Sequence, residues 1–457
     1  MKKTIVFLAL IAVLLMTACG GAATTAAPAT AAPATAKPAT AAPATAAPAT
    51  QKPAAGTVTI NFWSWVPNIK DQVDEWNAAH PELQVNYVNA GNGNTEYTKL
   101  NTALQANTDI PDVVQIEYQH LPGYIAQGAL LDLTQYGAND VKSQFIPWTW
   151  SQVSQGTGVY AFPQDAGPMV MFCNDAVLQK NNIKVPTTWD EFAKAAADLH
   201  KADPNVYLST FTADQGWFFG MLWQSGAKPF IVNGTNVTIN FTSPEAIRVA
   251  KLWGDMMTAK VLSPLDTYTN DWNTALGNGT VACWQAGAWG TFISGSSPDY
   301  KGKWSIYQMP QWTAGGKSNG NYGGSTIAVA KATTHPAEAE KFAQWLTTDP
   351  KPTLEVTDAA KAALFPVTQG VLTNADWLGV TDAYWSGQKI HQVMAEAAQN
   401  VNVDFGWSPF TNFVYTTYAD LLVKVRAGNI TFEAAMQQLQ DTVVSYAKDQ
   451  GFTVTTP

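Results

Sequence analysis

The order of strands and helices between residues 57 and 117 limits the fold of this chain more than any other feature. The stretches "TVTINFWSW", "LQVNYVN" and "PDVVQIE" have the apolar patterns of strands. Between them, Ile69, Val73 and Trp76 recur at helical spacing, and "TEYTKLNTALQANT" has the pattern of a second amphipathic helix. A β-α-β-α-β order predicts a parallel sheet with helices on its faces, so the predicted fold class is α/β.

A ligand site is expected at one edge of this sheet. Ligands of open α/β sheets bind at the carboxyl ends of the strands, which here are the loops that follow the three strands. Trp65 ends its strand and is predicted to face the ligand, whereas Trp63 is predicted to pack in the core. Glu117, Tyr118 and Gln119 are candidates for binding hydroxyl groups, and the alternative for all three is a solvated loop.

The later part of the chain is richer in helix. Thr188 and Glu191 have the spacing of a capping box, and Ser243 precedes a proline that opens another helix. His335 is followed by a further Pro-initiated helix, and Thr431 is placed to cap a long terminal one. The apolar stripes of these helices are interpreted as core.

The N-terminus indicates export. Two lysines precede an apolar run too short to span a bilayer as a mature helix, which is typical of a signal peptide. Residues 1–18 end in Leu-Met-Thr-Ala before Cys19, which resembles the lipobox of bacterial lipoproteins, with Met16 where that pattern usually has Leu. We predict that Cys19 is acylated and anchors the protein to a membrane; the alternative is an ordinary secretory signal with an incidental cysteine. No later segment is long and apolar enough for a transmembrane helix.

Residues 19–56 are predicted to be a tether rather than a folded domain. They are almost entirely Ala, Pro and Thr, and Pro28, Pro33 and the prolines after them recur every five residues up to Pro53. Such a segment has nothing to bury and stays extended and semi-rigid. It would hold the working domain away from the membrane.

The charge balance favours an uncharged ligand. Acidic residues outnumber basic ones by 35 to 26, and arginine occurs only at Arg248 and Arg426. A protein that binds phosphate, nucleic acid or an anionic polymer would be expected to cluster Arg and Lys. No nucleic-acid partner is therefore predicted.

The sequence offers little support for a metal site, a cofactor or hydrolytic chemistry. GxSxG, HExxH and P-loop motifs do not occur, and the five histidines are scattered. Apart from Cys19, only Cys173 and Cys283 remain; they could pair, but both lie in apolar strand-like runs and are interpreted as buried free thiols. Glu117 and Asp165 could in principle serve as a glycosidase acid and base.

Four stretches in fixed order resemble one family. They are "PDVVQIEYQHLPGYIAQGALLDL", "VYAFPQDAGPMVMFCND", "GNGTVACWQAGAWG" and "GGSTIAVAKATTHPAEAEKFAQWLTTDP". Their order and spacing are similar to those of the extracellular solute-binding proteins of ABC importers, in the carbohydrate-binding group that includes maltose-binding protein. The similarity extends over nearly all of residues 57–457.

This resemblance implies a periplasmic-binding-protein-like fold of two lobes, each with a mostly parallel sheet, and a hinged cleft between them. Residues 57–163 and 289–348 are predicted to form the N-terminal lobe, and residues 164–288 and 349–457 the C-terminal lobe. The chain would cross between lobes near residues 162–168, 285–289 and 348–352. Closure of the hinge around the ligand is the expected motion.

The resemblance also places candidate ligand-binding residues at the crossings. Trp289 follows Gly287 and Ala288, where the strand pattern ends, and its flat indole is suited to cover the apolar face of a sugar. Trp284 lies within the strand pattern, where ordinary packing is the alternative. The other candidates lie in predicted loops or crossings: Asp165, Trp217, Phe218, Tyr322, Gly323, Gly324 and Trp407.

The predicted function is capture of a neutral mono- or oligosaccharide outside the cell and its delivery to the membrane subunits of an ABC permease. The protein is predicted to be a lipid-anchored monomer without catalytic activity or cofactor. The alternatives are a secreted glycoside hydrolase and a surface adhesin that binds polysaccharide; an adhesin needs an open platform rather than a closing cleft.

Overall fold

The computed structural model describes residues 56–292 and 301–456. The predicted signal peptide, the predicted acylation site Cys19 and nearly all of the predicted tether lie outside the described residues. Within the described part, no helix has the length and apolar character needed to span a membrane.

The described chain alternates strands with helices in its first third and is mainly helical towards its C-terminus. Its strands are β1 (Val58–Trp63), β2 (Leu83–Val88), β3 (Val113–Glu117), β4 (Ser154–Gln155), β5 (Gly158–Val159), β6 (Ala161–Pro163), β7 (Met169–Asn174), β8 (Phe230–Asn233), β9 (Asn236–Ile239), β10 (Cys283–Gly287), β11 (Trp304–Gln308), β12 (Ser325–Val329) and β13 (Thr453–Thr455). Its α-helices are α1 (Ile69–Ala79), α2 (Asn94–Ala106), α3 (Leu121–Ala126), α4 (Pro147–Gln152), α5 (Asp175–Lys180), α6 (Trp189–Ala202), α7 (Gln215–Ser225), α8 (Pro244–Thr258), α9 (Asn270–Asn278), α10 (Pro336–Thr348), α11 (Pro350–Glu355), α12 (Gln369–Leu372), α13 (Ala375–Gly379), α14 (Ile390–Gln399), α15 (Thr411–Arg426) and α16 (Phe432–Asp449).

The first sheet confirms the parallel arrangement predicted for residues 57–117. Its strand order is β2-β1-β3-β12-β6, and β1 is parallel to both β2 and β3. Strand β12 then pairs antiparallel with β3 and β6. Phe62 of β1 is fully buried and meets Phe342 of α10 edge-on, with ring centroids 5.3 Å apart. The helices therefore cover this sheet through the apolar stripes that the sequence predicted as core.

The second sheet differs from the mostly parallel sheet that was predicted. Strand β7 lies between β10 and β11 and is antiparallel to both. In this register Cys173 lies directly opposite Cys283 with a Cα–Cα distance of 4.2 Å, and the two form a disulfide. The interpretation of these cysteines as free thiols was wrong, because the pairing depends on strand register and the sequence alone does not specify it.

Strand membership can be compared with the predicted crossings between the lobes. The chain leaves the first sheet at β6 and enters the second at β7, inside the segment predicted for the first crossing. Because β11 pairs with β7, residues 304–308 belong to the second sheet, whereas the sequence prediction assigned them to the N-terminal lobe. The return to the first sheet takes place between β11 and β12. Helix α11 contacts α1 through the ion pair between Lys351 and Glu75.

The predicted helix starts are confirmed. Thr188 and Glu191 form a complete capping box at α6, and Ser243 and Thr431 cap α8 and α16 through their side-chain oxygens. Helix α10 begins at the proline after His335. Each hydroxyl satisfies a backbone N–H that the first helical turn leaves unpaired.

A candidate ligand-binding cleft

A cleft of about 1100 Å³ opens at the carboxyl ends of β1, β2 and β3, where α/β sheets are expected to bind ligands. Its volume lies just above the usual range for small-molecule sites, about 300–1,000 Å³. One wall comes from the loops after these strands, and the opposite wall comes from the start of α7 and from α15. The side chains that line it include Trp65, Gln115, Glu117, Gln119, His120, Asp165, Asp214, Gln215, Trp289, Tyr322, Leu364, Trp407, Asn412, Tyr415, Thr416 and Asp420.

Trp289 lines the cleft, and its partly buried indole is fixed by contacts with Tyr322. It lies in a 3₁₀ turn, Ala288–Phe292, directly after β10. Its Nε1 donates a hydrogen bond to the backbone oxygen of Tyr322 at 2.6 Å, and the two rings meet edge-on at 5.0 Å. A Cβ atom added at Gly287 would lie 2.3 Å from this Nε1. Glycine at position 287 therefore leaves the space that the indole of Trp289 occupies.

Trp284 belongs to the core. It is 1% exposed, stacks on Phe172 at 5.4 Å and meets Trp272 edge-on at 5.1 Å. The two tryptophans of "VACWQAGAWG" therefore have different roles, as their positions inside and after the strand suggest. Trp284 also contacts the ring of Trp289 at 6.1 Å and so supports it from the core side.

Trp65 lines the opposite part of the cleft on a loop fixed by one buried amide. Its backbone N–H donates to Oε1 of Gln115 at 3.0 Å, and the Ser64 hydroxyl donates to the same oxygen at 2.6 Å. Nε2 of Gln115 in turn donates to the hydroxyl of Ser325 on β12 at 3.0 Å. The Trp65 ring packs edge-on against Tyr97, 5.9 Å away. The indole is thus oriented before any ligand binds.

Glu117 ends β3 and faces the cleft. Its Oε2 accepts a hydrogen bond from the Tyr97 hydroxyl at 3.1 Å, while its backbone N–H donates to the same hydroxyl at 3.0 Å. Burial raises the pKa of the Glu117 carboxyl, and the nearby carboxylate of Asp214 adds to this. His120 lies 3.9 Å away, but its own burial lowers its pKa to about 4, so the imidazole is neutral at pH 7.

Asp165 reaches the cleft from the passage between the two sheets. Its Oδ1 accepts a hydrogen bond from the backbone N–H of Ser325 at 2.8 Å, and the side chain is only 6% exposed. Burial raises the pKa of this carboxyl to about 7. Close to neutral pH, Asp165 can therefore exist as an acceptor or as a protonated donor toward a hydroxyl group.

Tyr322, Gly323 and Gly324 form the part of the cleft between β11 and β12. The Tyr322 hydroxyl lies 3.1 Å from that of Tyr268. Gly324 has φ 94°, and an added Cβ would lie 2.8 Å from the backbone of residues 165 and 166. Glycine at position 324 therefore leaves room for the backbone of residues 165 and 166.

Three predicted site residues do not line the cleft. Tyr118 is fully buried and donates a hydrogen bond to the backbone oxygen of Asp165 at 3.1 Å. Trp217 and Phe218 lie in helix α7, so the prediction that they lie in a loop was wrong; both are 0% exposed. Trp217 packs edge-on against Trp253 at 4.9 Å, which is a core contact.

The sequence reasoning missed several lining residues. Asp214 caps α7 by accepting the N–H of Trp217 at 3.2 Å, and this places its carboxyl at the cleft. The Asx signal just before an apolar helix would have identified the cap, and only the fold shows which site it faces. Tyr415, Thr416 and Asp420 lie on one face of α15, where the sequence gives no distinct signal.

The cleft combines aromatic rings with acceptors and carries no described lysine or arginine among its lining residues. Its four carboxyl groups belong to Glu117, Asp165, Asp214 and Asp420. Within the described ranges, no three His, Cys, Asp or Glu side chains are grouped so that they could hold a metal ion. The arrangement is suited to hydrogen bonds with hydroxyl groups beside apolar ring contacts.

Comparison with known proteins agrees with the fold and with the position of the cleft. The family model for bacterial extracellular solute-binding proteins matches residues 25–351, and the chain belongs to this family. Among curated relatives, the chain is 23% identical over 412 residues to an arabinooligosaccharide-binding protein of Halalkalibacterium halodurans, covering 85% of this chain and 89% of that protein. It is 28% identical over 308 residues to a lactose-binding protein of Rhizobium radiobacter, covering 63% of this chain and 69% of that protein.

Solved structures give a similar result. An ABC-transporter-associated binding protein from B. animalis subsp. lactis Bl-04, in complex with β-1,6-galactobiose, is 31% identical with a TM-score of 0.74. The match covers 87% of this chain and 99% of that one. The galacto-N-biose/lacto-N-biose I-binding protein of Bifidobacterium longum is 27% identical with a TM-score of 0.76, covering 88% and 99%. The two-lobed periplasmic-binding-protein-like fold is therefore shared with proteins solved with sugars bound.

Proposed function

We propose that this protein is the sugar-binding component of an ABC importer, which holds a neutral mono- or oligosaccharide in the cleft and delivers it to a membrane permease. One observation carries the proposal. The cleft at the ends of β1, β2 and β3 places the indoles of Trp65, Trp289 and Trp407 around carboxyl and amide groups, without a described lysine or arginine in its lining.

The aromatic rings supply the apolar half of the recognition. A pyranose or furanose ring has C–H faces that pack against a flat indole, and the contact stabilises the complex through apolar burial. The indole of Trp289 is fixed by its hydrogen bond to Tyr322, and that of Trp65 packs edge-on against Tyr97 while Gln115 holds its backbone N–H. Rings fixed in advance lose little rotamer entropy on binding.

The polar groups supply the other half. Glu117, Asp165 and Asp214 provide carboxyl oxygens that accept from sugar hydroxyls, and Gln119 and Asn412 provide amides that both donate and accept. The absence of described cationic lining residues disfavours sugar phosphates and acidic sugars, because their charge would be buried without a partner. A neutral carbohydrate is the ligand class that fits both halves.

The relatives support this class of ligand. The proteins most informative here carry the names arabinooligosaccharide-binding and lactose-binding protein, and one solved relative holds β-1,6-galactobiose. All of these ligands are uncharged saccharides.

The proposal includes the location and state of the protein. Cys19 would carry the lipid that anchors the chain to the outer face of the cytoplasmic membrane, and residues 20–56 would be the tether.

The lobes would follow the sheets, with residues 57–163 and 325–355 in the N-terminal lobe and residues 169–308 and 390–457 in the C-terminal lobe. The protein would act as a monomer, with one permease contacting both lobes. Replacing Cys19→Ser should release the protein from the membrane fraction.

Calorimetric titration against a panel of neutral saccharides tests the function. The panel contains galactose, lactose, β-1,6-galactobiose, lacto-N-biose and arabinobiose, with glucose 6-phosphate as the charged comparison. We expect at least one neutral saccharide to bind with a micromolar or lower Kd and the phosphate not to bind. Prolonged incubation should release no shorter product, since the protein is proposed to perform no chemistry. Failure of every neutral saccharide, or steady product release, would contradict the proposal.

A further inference from the structure

A second cavity, here called the side pocket, adjoins the cleft. It has a volume of about 350 Å³ and shares three lining residues with the cleft: Gln119, His120 and Asn412. Two cavities with common lining residues meet at those residues. A molecule bound in the cleft can therefore continue into the side pocket without leaving the protein surface.

The side pocket lies between elements that belong to different parts of the fold. Asn101 of α2 and Gln127, at the end of α3, lie on the side of the first sheet. Phe413 of α15, with Tyr446 and Gln450 at the end of α16, lies on the other side. At its base, Gly123 approaches Pro409 so closely that an added Cβ would be 3.1 Å from the Pro409 oxygen. The pocket thus spans the same gap as the cleft.

The chemistry of the side pocket differs from that of the cleft in one respect. Its described lining contains no aspartate, glutamate, lysine or arginine, whereas the cleft has four carboxyl groups. His120, at the boundary, is neutral at pH 7 because burial lowers its pKa to about 4. The side pocket is therefore uncharged throughout.

Amides and aromatic rings dominate the lining. Five amide side chains are present, and each offers two donors and an acceptor. The rings of Phe413 and Tyr446 stack on each other with centroids 3.7 Å apart and an interplanar angle of 9°, which makes a rigid apolar wall. This combination of uncharged hydrogen-bonding groups and a flat apolar surface suits a saccharide and offers nothing to an ionic ligand.

We infer that the side pocket is an extension subsite, and that the ligand is an oligosaccharide longer than two residues whose further sugars lie against α2, α3 and the end of α16. The inference rests on the proposed function, because it extends the same bound chain out of the cleft. A disaccharide would occupy the cleft alone. Each further residue would add hydrogen bonds to the amides and contact with the Phe413–Tyr446 wall.

The test compares ligands of two lengths in two series: β-1,6-galactobiose with β-1,6-galactotetraose, and arabinobiose with arabinotetraose. For the series that binds, we expect the tetrasaccharide to bind the full chain at least tenfold more tightly than the disaccharide. The double variant Asn101→Ala/Gln450→Ala should reduce this ratio to about two or less and leave the Kd of the disaccharide unchanged. Both residues line the side pocket but not the cleft.

Two further variants keep the result interpretable. Asn101→Trp, which fills the side pocket, should reduce tetrasaccharide affinity even if the alanine variants act weakly. Gln105→Ala is the matched control, since Gln105 is an exposed amide on the same helix outside both cavities. Equal affinities for the two lengths in the unmodified protein would overturn the inference while the proposed function stands. Failure of all four saccharides, together with the panel above, would overturn both.

Discussion

Trp289 and Tyr322 are joined by a hydrogen bond of 2.6 Å from the indole Nε1 to the tyrosine backbone oxygen. One residue directly follows a strand of the second sheet, and the other lies just before a strand of the first. The bond therefore joins the segment after β10 to the segment that leads into β12, and both residues line the cleft. It makes Trp289 both a proposed contact surface and a part of the junction.

Replacing Trp289→Ala should weaken saccharide binding about 10- to 100-fold, because an apolar contact of one to a few kcal/mol is removed. Trp289→Phe should retain part of the ring contact but lose the hydrogen bond to Tyr322, so its affinity should lie between the two. Titration calorimetry measures both. Trp345→Ala is the matched control, since Trp345 is a partly buried tryptophan that does not line the cleft. Unchanged affinity in Trp289→Ala would exclude the proposed ring contact.

Replacing Gly287→Ala should lower affinity without touching the ligand. The added methyl group would lie 2.3 Å from Nε1 of Trp289 and 2.6 Å from the Tyr322 oxygen, so the indole must move. We expect at least a fivefold weaker Kd and a lower unfolding temperature. Gly370→Ala is the control: nothing lies within 4 Å of its added Cβ, so stability and affinity should stay the same or stability should rise slightly. Equal Kd values and unfolding temperatures for the two variants would show that the position of the Trp289 indole does not depend on the space at Gly287.

Removing the disulfide should lower stability. Cys173 and Cys283 close a loop with a sequence separation of 110, and both are fully buried. The double variant Cys173→Ala/Cys283→Ala should lose about 2–5 kcal/mol of the free energy of unfolding, the range for native disulfides in exported domains. Urea denaturation, with the unmodified protein under reducing conditions as a comparison, measures this. Two free thiols in the unreduced, unfolded chain would contradict the pairing.

Stability should depend on pH through Glu96. This side chain is fully buried, and neither carboxyl oxygen has a hydrogen-bond partner among the described residues. Burial raises its pKa from 4.5 to about 8. Between these values the folded protein holds a proton that the unfolded chain has lost, so stability falls as pH rises, by up to about 1.4 kcal/mol per pH unit.

The variant Glu96→Gln tests this dependence because it keeps the shape and removes the ionisation. Relative to the unmodified protein, it should be more stable at pH 8 by about 4 kcal/mol and show little difference near pH 4.5. Urea midpoints at both pH values measure the effect. Glu82→Gln, at an exposed position, should show no such pH-dependent gain in stability. A constant difference between Glu96→Gln and the unmodified protein across this range would refute the assignment.

Local signals in the sequence were enough to identify several residues that line the cleft. The strand order places Trp65 and Glu117 at the carboxyl ends of neighbouring parallel strands, and parallel strands bring those ends to one edge. The strand pattern of alternating residues ends after Gly287, and this end separates Trp284 in the core from Trp289 in the cleft. For Trp217, which follows the stretch "TADQG", the prediction of a loop failed. The Asp214 cap starts a helix there, and the Trp217 ring lies in the core.

The sequence alone determined the alternation of strands and helices, the helix caps and the low cationic charge, since each depends on residues close together in the chain or on composition. Only the tertiary structure decided that Cys173 meets Cys283, that β11 joins the second sheet, and that Asp214 and Asp420 face Trp65 across one cleft. These relationships join residues far apart in sequence through strand register and packing. Register and packing are set by the whole core, and no local pattern encodes them.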